Sequence, residues 1–107
     1  MNDPKIYKKF NEIVDMRNHL NSRFAEKEER DRFIRVCDYC LNYLKDDYRL
    51  ILQNSYFKKN YEFWWLDYFC KSSYYRKRFW AISGFVRLFE VIYENINDCS
   101  VCSSTFC

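Results

Sequence analysis

The 107-residue chain contains one glycine and one proline, and this scarcity restricts the folds that it can adopt. Tight hairpin turns favour glycine, so an all-β fold is disfavoured. Hydrophobic residues make up 49% and aromatic residues 21% of the chain, which is ample core material and argues against disorder. A chain of this length is expected to form one core, because it buries roughly two thirds of its unfolded surface. We therefore predict a small all-α domain of about five helices.

Apolar residues recur at steps of three and four residues through the first part of the chain, which predicts amphipathic helices. Residues 1–45 are expected to form an N-terminal helical pair. The first helix begins with Asp3 as N-cap before Pro4 and reaches about residue 20. The second runs from the mid-20s to about Lys45. Its predicted apolar face consists of Phe33, Val36, Cys37, Cys40, Leu41 and Leu44.

The second part of the chain, residues 46–95, predicts three further helices. One starts with Asp46 or Asp47 as its cap, and a short one follows the polar break at 58–60. A longer helix then runs from about Ser73 to the mid-90s, capped by Ser72 or Ser73. The short helix is expected to bury Phe63, Trp64, Leu66 and Phe69, and the long helix to bury Tyr74, Ala81, Ile82, Phe85, Leu88, Phe89 and Ile92. Residues 96–107 lack periodicity and are predicted to form a flexible tail that contains cysteines.

The positive charge of the chain is concentrated in the last predicted helix. The net charge is only +3, yet residues 71–92 carry +4, from five cationic side chains and one carboxylate. Such a patch attracts nucleic-acid phosphates, although a solvated Lys/Arg face has the same composition. A short helix, a turn over 69–73 and a longer basic helix form the layout of a helix-turn-helix, whose second helix enters the major groove of DNA.

Helical spacing then predicts which side chains would contact DNA. At 3.6 residues per turn, the positions that face away from the apolar stripe near the helix start are cationic, hydroxyl-bearing or aromatic. Arg76 and Lys77 are suited to guanine edges, and the residues before them to the phosphate backbone. Phe79 and Ser83 are expected on the same outer face, and Arg78 at the margin of the stripe, where it snorkels outward or pairs with a carboxylate such as Asp67. The predicted DNA-binding residues are Lys71, Ser72, Ser73, Tyr75, Arg76, Lys77 and Trp80.

Two segments, "DDYRLILQNSYF" and "YEFWWLDYFCKSSYYRKRFWAISGFVRLFE", resemble region 4 of bacterial sigma factors and the small phage transcription activators of the ArpU and RinA type. The resemblance covers about residues 46–90. Tyr48-Arg49 matches an upstream Tyr-Arg pair of that family, and Ala81 matches a core alanine. The family's recognition helix begins Ser-x-Ser-Thr-(Val/Tyr)-Tyr-Arg; the corresponding residues here are Cys70, Lys71, Ser72, Ser73, Tyr74, Tyr75 and Arg76.

This sequence departs from the family's pattern at two positions, where Cys70 replaces a serine and Ser73 replaces the threonine. The Trp64-Trp65 pair is closer to the phage and mollicute sigma-like branch than to ordinary sigma factors. The resemblance implies a sequence-specific DNA-binding transcription regulator with double-stranded DNA as its partner, and it also implies contact with RNA polymerase. No segment resembles sigma region 2. Since one such module buries only about 600–1,000 Å² on DNA, high specificity is expected to require RNA polymerase or a homodimer.

The alternative interpretation is a helical protein-protein interaction module, an adaptor or inhibitor, with Phe79 and Trp80 as exposed anchors. Catalysis is not expected, because the sequence has no glycine-rich phosphate loop and His19, its single histidine, lies in no catalytic motif. No cofactor motif is present. The absence of a long apolar run and of a signal-peptide pattern predicts a cytoplasmic protein without a membrane span.

Six cysteines include two Cys-x-x-Cys pairs, Cys37/Cys40 and Cys99/Cys102, which raises the possibility of a zinc site. The first pair lies on the apolar face of a predicted helix, and 58 residues separate the two pairs. Buried small side chains are therefore the favoured interpretation of Cys37 and Cys40. Disulfides are less favoured than zinc, because nothing indicates export.

Overall fold

The computed structural model describes residues 4–58 and 60–94, and the chain over these residues is helical without a β-strand. The five α-helices of this part are α1 (Pro4–Asn18), α2 (Leu20–Arg23), α3 (Lys27–Tyr43), α4 (Asp46–Leu52) and α5 (Lys71–Phe89). π-Helical segments extend α4 over Gln53–Phe57 and α5 over Glu90–Glu94, and a 3-10 turn spans Trp64–Asp67. The predicted all-α fold is confirmed. Within the described helices, none has both the length and the apolar composition needed to cross a membrane.

The helix α5 lies at the centre of the main core and packs against both N-terminal helices. Phe85 on α5 meets Phe10 on α1 edge-on, with ring centroids 5.6 Å apart. Phe89, one turn later, meets Phe33 on α3 at 5.7 Å. The rings of Phe10, Phe33 and Phe85 are fully buried. One cluster thus joins residues from the beginning, middle and end of the described chain.

The single glycine of the chain, Gly84, lies where α5 passes the end of α3. A Cβ atom at this position would be 3.2 Å from Cδ2 of Leu44, which is tighter than ordinary van der Waals contact. The absence of a side chain therefore lets the two helices approach closely here. The cost is a lower helix propensity in the middle of α5.

A second, smaller aromatic cluster holds the first turns of α5. Trp65 and Tyr74 stack nearly in parallel, with ring centroids 4.4 Å apart and an angle of 8° between the planes. Trp64 meets Tyr74 edge-on at 6.2 Å, and Ile51 of α4 completes the buried set. Leu50 and Phe69 pack against it. The direction in which α5 starts is thus set by ring packing against the 3-10 turn and α4.

The predicted helix caps are wrong for both α4 and α5. Both helices begin earlier than expected: Lys45, one residue before Asp46, is the N-cap of α4, and Cys70, two residues before Ser72, is that of α5. The predicted caps therefore belong to the first helical turns: Asp46 and Asp47 in α4, and Ser72 and Ser73 in α5. In α4, the two carboxylates are stabilised by the positive end of the helix dipole. The predicted cap Asp3 lies outside the described residues.

The first predicted helix ends before residue 20, at Asn18, and a separate short helix, α2, follows. The predicted short helix before the turn is a single 3-10 turn. One turn cannot present an apolar stripe, and the adjacent Trp64 and Trp65 occupy its inner side. Phe63 and Leu66 are consequently 52% and 60% exposed, contrary to the prediction that they pack inward.

Candidate nucleic-acid interface

The first two turns of α5 bring most of the predicted DNA-binding side chains to the surface. Lys71, Ser72 and Arg76 are exposed, and Tyr75 is 42% exposed. Ser73 is half-buried. This end of the helix therefore presents a cation at each of its first two turns, with hydroxyl and phenol groups between them.

Among the described residues, no side chain forms a capping hydrogen bond at Cys70, the N-cap of α5. The group nearest to this role is the exposed thiol of Cys70. Its pKa is lowered chiefly by the backbone N–H of Ser73 and then by the hydroxyl of Ser72, with a smaller contribution from the positive charge of Arg76. These groups create a local environment that favours negative charge.

Lys77 lies on α5 but is engaged by the protein itself. Its Nζ is 2.6 Å from Oδ2 of Asp47 in the first turn of α4, and the lysine side chain is 29% exposed. Nζ also lies over the ring of Phe69, 5.3 Å from the centroid. Lys77 thus ties α5 to α4 in this structure, and contact with DNA would require it to leave Asp47.

The two aromatic residues at positions 79 and 80 have different environments. Trp80 is 48% exposed and contacts Phe79 edge-on at 5.1 Å. Phe79 is half-buried, and its ring centroid lies 6.4 Å from that of Tyr7 on α1. The prediction that Phe79 stands on the outer face is wrong, because α1 covers that side of α5. Ser83, predicted on the same face, is buried as well.

Arg78 was predicted to snorkel outward or to pair with a carboxylate such as Asp67, and it does neither. It is half-buried, and its guanidinium lies over the ring of Tyr75, 5.0 Å from the centroid. Asp67 instead accepts a hydrogen bond of 2.9 Å from the hydroxyl of Tyr61. Arg78 also lines a cavity of about 460 Å³ beside the 3-10 turn.

The cysteines of α3 behave as core residues. Cys37 and Cys40 are fully buried, unpaired thiols, and burial raises the pKa of both, that of Cys40 to about 12. Residues 4–58 and 60–94 contain no group of three or more histidine, cysteine or carboxylate side chains suited to a metal ion. Cys99, Cys102 and the predicted flexible tail 96–107 lie outside these residues.

The cavity beside Arg78 was missed by the sequence reasoning. A weak signal for it existed, because the polar residues Asn54 and Ser55 interrupt the apolar pattern after α4. The irregular π-helical segment at this position is a feature that often accompanies functional sites. In comparisons with known proteins, no protein-family model, curated protein or solved structure matches this chain.

Proposed function

We propose that the protein is a sequence-specific DNA-binding regulator of transcription and that it places the first turns of α5 in the major groove. The proposal rests on the joint exposure of Lys71, Ser72, Tyr75 and Arg76 at the start of a 19-residue helix. A helix of this kind fits the major groove, and its N-terminal residues then reach the base edges.

Each side chain at this end of α5 has a role that follows from its chemistry. Lys71 and the hydroxyls of Ser72 and Ser73 contact the phosphate backbone and set the orientation of the helix. Arg76 reads guanine through two parallel hydrogen bonds. Tyr75 and Trp80 contact the sugar or a thymine methyl group.

The ion pair with Asp47 changes the role expected of Lys77. A lysine held at 2.6 Å by a carboxylate on the neighbouring helix is a poor reader of base edges. We therefore assign base recognition to Arg76 and assign Lys77 the orientation of α5 relative to α4. Contact with RNA polymerase, and a homodimer, remain parts of the proposal that rest on the resemblance to sigma region 4 and on the small area of a single module.

The test is the fluorescence anisotropy of a labelled random duplex of about 30 base pairs, titrated at several salt concentrations. Three proteins are compared: the wild type, the Lys71→Glu/Arg76→Glu variant, and a Lys27→Glu/Arg35→Glu control with the same change of charge on α3. Lys27 and Arg35 are exposed cations, so the control preserves the core.

The wild type and the control are expected to bind with a steep dependence on salt, and the α5 variant to lose about two units of the slope of log K against log salt. Selection of a preferred sequence would then follow. Equal binding by the two variants would contradict the proposal, because it would locate the contact outside the first turns of α5.

A second candidate function, a protein-protein interaction module, is favoured by one observation. Phe63, Leu66 and Tyr68 are 52%, 60% and 65% exposed around the 3-10 turn, which is unusual for neighbouring apolar residues. Trp80 remains available as an anchor, whereas Phe79 is packed against α1. If random DNA does not bind at low salt, sedimentation velocity of the wild type and of a Phe63→Ser/Leu66→Ser variant tests whether copies of the chain associate through this patch.

A further inference from the structure

We infer that the cavity beside the 3-10 turn is a binding site for a small aromatic carboxylate, with Arg78 as the group that recognises the carboxylate. The cavity measures about 460 Å³, within the range of small-molecule sites. Its walls come from the π-helical segment after α4, from the loop 60–64 and from α5. It is lined by Asn54, Ser55, Tyr56, Asn60, Tyr61, Glu62, Trp64, Tyr74 and Arg78.

The polar walls of the cavity are held in place by their own hydrogen bonds. The indole N–H of Trp64 donates to Oγ of Ser55 at 3.2 Å, and this oxygen lies 3.0 Å from the hydroxyl of Tyr74. Asn60 donates through its backbone N–H to the carbonyl of Asn54 at 2.8 Å and through Nδ2 to its Oδ1 at 3.3 Å. These hydrogen bonds fix the loop 60–64 against the π-helical segment.

Arg78 supplies an unsatisfied donor at this site. Its Nε is buried, and residues 4–58 and 60–94 provide no hydrogen-bond acceptor for it. The ion pairs within the same residues do not include Arg78. Its guanidinium lies over the face of Tyr75 and is within hydrogen-bonding reach of the hydroxyl of Tyr56, so Nε is the group that lacks an acceptor. A buried donor without an acceptor calls for an external partner. The edge formed by Nε and a terminal nitrogen is the one that binds a carboxylate through two parallel hydrogen bonds.

The charge and the rings of the cavity define the class of ligand. The lining contains one guanidinium, that of Arg78, and one carboxylate, that of Glu62, so a monoanion is favoured over a phosphate dianion. Burial raises the pKa of Tyr56, which keeps its hydroxyl neutral and able to donate to an anion. Tyr61, Trp64 and Tyr74 line the cavity with aromatic groups, which suits a ligand with an aromatic body.

This inference does not depend on the proposed DNA binding. At 100° per residue, Arg78 lies about 160° around α5 from Arg76, so the cavity and the proposed base-reading side chain occupy nearly opposite faces of the helix. The guanidinium of Arg78 does contact the ring of Tyr75, which belongs to the proposed DNA contact. Binding of the carboxylate and binding of DNA are measured separately, so failure of one does not entail failure of the other.

The experiment is a nuclear magnetic resonance titration of the full chain with benzoate. The Nε–H resonance of Arg78 and the indole N–H resonance of Trp64 report on the cavity, and the indole of the exposed Trp80 reports on non-specific contact. Benzamide, the neutral analogue, and phenyl phosphate, the dianion, are titrated in parallel. Arg78→Gln removes the recognition group, and Arg87→Gln is the matched control on the exposed side of α5.

We expect saturable shifts of the Arg78 and Trp64 resonances with a dissociation constant on the order of 1 mM, usual for a fragment-sized ligand. Benzamide, phenyl phosphate and the Arg78→Gln variant should each weaken binding by about tenfold or more, while Arg87→Gln leaves it unchanged. No saturable shift up to about 20 mM benzoate overturns the inference. So does equal binding of benzamide, tighter binding of phenyl phosphate, or an equal response of Trp80. The comparison of benzoate with benzamide on the wild type decides the matter even if Arg78→Gln fails to fold.

Discussion

Replacing Lys77 with glutamine is expected to reduce stability more than it reduces affinity for DNA. The lysine Nζ lies 2.6 Å from a carboxylate oxygen of Asp47, in side chains that are 29% and 54% exposed. Ion pairs with this degree of exposure contribute up to about 1 kcal/mol. The contact with the ring of Phe69, at 5.3 Å, adds about 0.5 kcal/mol. The expected loss is about 1 kcal/mol, which lowers the midpoint of thermal unfolding by about 4–8 °C.

The assay is a double-mutant cycle with Lys77→Gln, Asp47→Asn and the combined variant, measured by thermal unfolding. The combined variant should lose less than the sum of the single variants, with a coupling free energy of about 0.5–1 kcal/mol. The same proteins are then titrated with random duplex DNA. Lys77→Gln should leave the salt slope nearly unchanged, whereas Arg76→Gln should lower it by about one unit.

Two results together would refute this reasoning. A coupling free energy near zero would mean that the pair with Asp47 contributes nothing to the folded state. A salt slope that falls by about one unit in Lys77→Gln would mean that the lysine neutralises a phosphate, as the helical spacing alone had predicted. Lys77 would then belong with Arg76 in the contact with DNA.

Two further predictions concern the core. Phe85→Ala should lower the free energy of unfolding, measured in urea, by about 3–5 kcal/mol, because this fully buried ring joins α1 to α5. Phe85→Leu should lower it by about 1.5 kcal/mol or less. Equal losses of stability in the two variants would argue against the central role of α5. Because burial raises the pKa of Cys37 and Cys40, both thiols should resist iodoacetamide at about pH 8.5 in the folded protein while Cys70 reacts, as mapped by peptide mass. Their raised folded-state pKa values contribute stability below the unfolded value of about 8.5, and this contribution is lost as the pH rises from about 8.5 towards 12. Fast labelling of Cys37 in the folded state, or stability that does not fall over this interval, would contradict the prediction.

The all-α class and the buried stripes of the long helices could be predicted from the sequence because they depend on local periodicity. On α3, the expected face of Phe33, Val36, Cys37, Cys40 and Leu41 is buried as predicted. On α5, Ala81, Ile82, Phe85 and Phe89 are buried as well. In both helices, a regular repeat of apolar residues is enough to define the inner side.

The features that escaped prediction depend on contacts between residues distant in sequence. Whether Phe79 faces solvent depends on where Tyr7 of α1 lies, which the pattern within α5 cannot reveal. Likewise, Lys77 looks like a free cation until α4 brings Asp47 to it across 30 positions of sequence. The predictions of the helix caps were wrong for a different reason, because several residues near the start of α4 and of α5 were able to serve as the N-cap.

The interleaving of aromatic and cationic residues over 74–80 follows from the central position of α5. Tyr74 and Arg78 are four residues apart and share one face of α5. Tyr74 stacks on Trp65 there, and Arg78 lines the cavity. Arg76 and Trp80 are also four residues apart and share the exposed face. Because the first pair fixes the rotation of the helix about its axis, it also determines where the second pair points. The aromatic rings that pack around Tyr74 therefore also orient Arg76, the cation that we propose to read DNA.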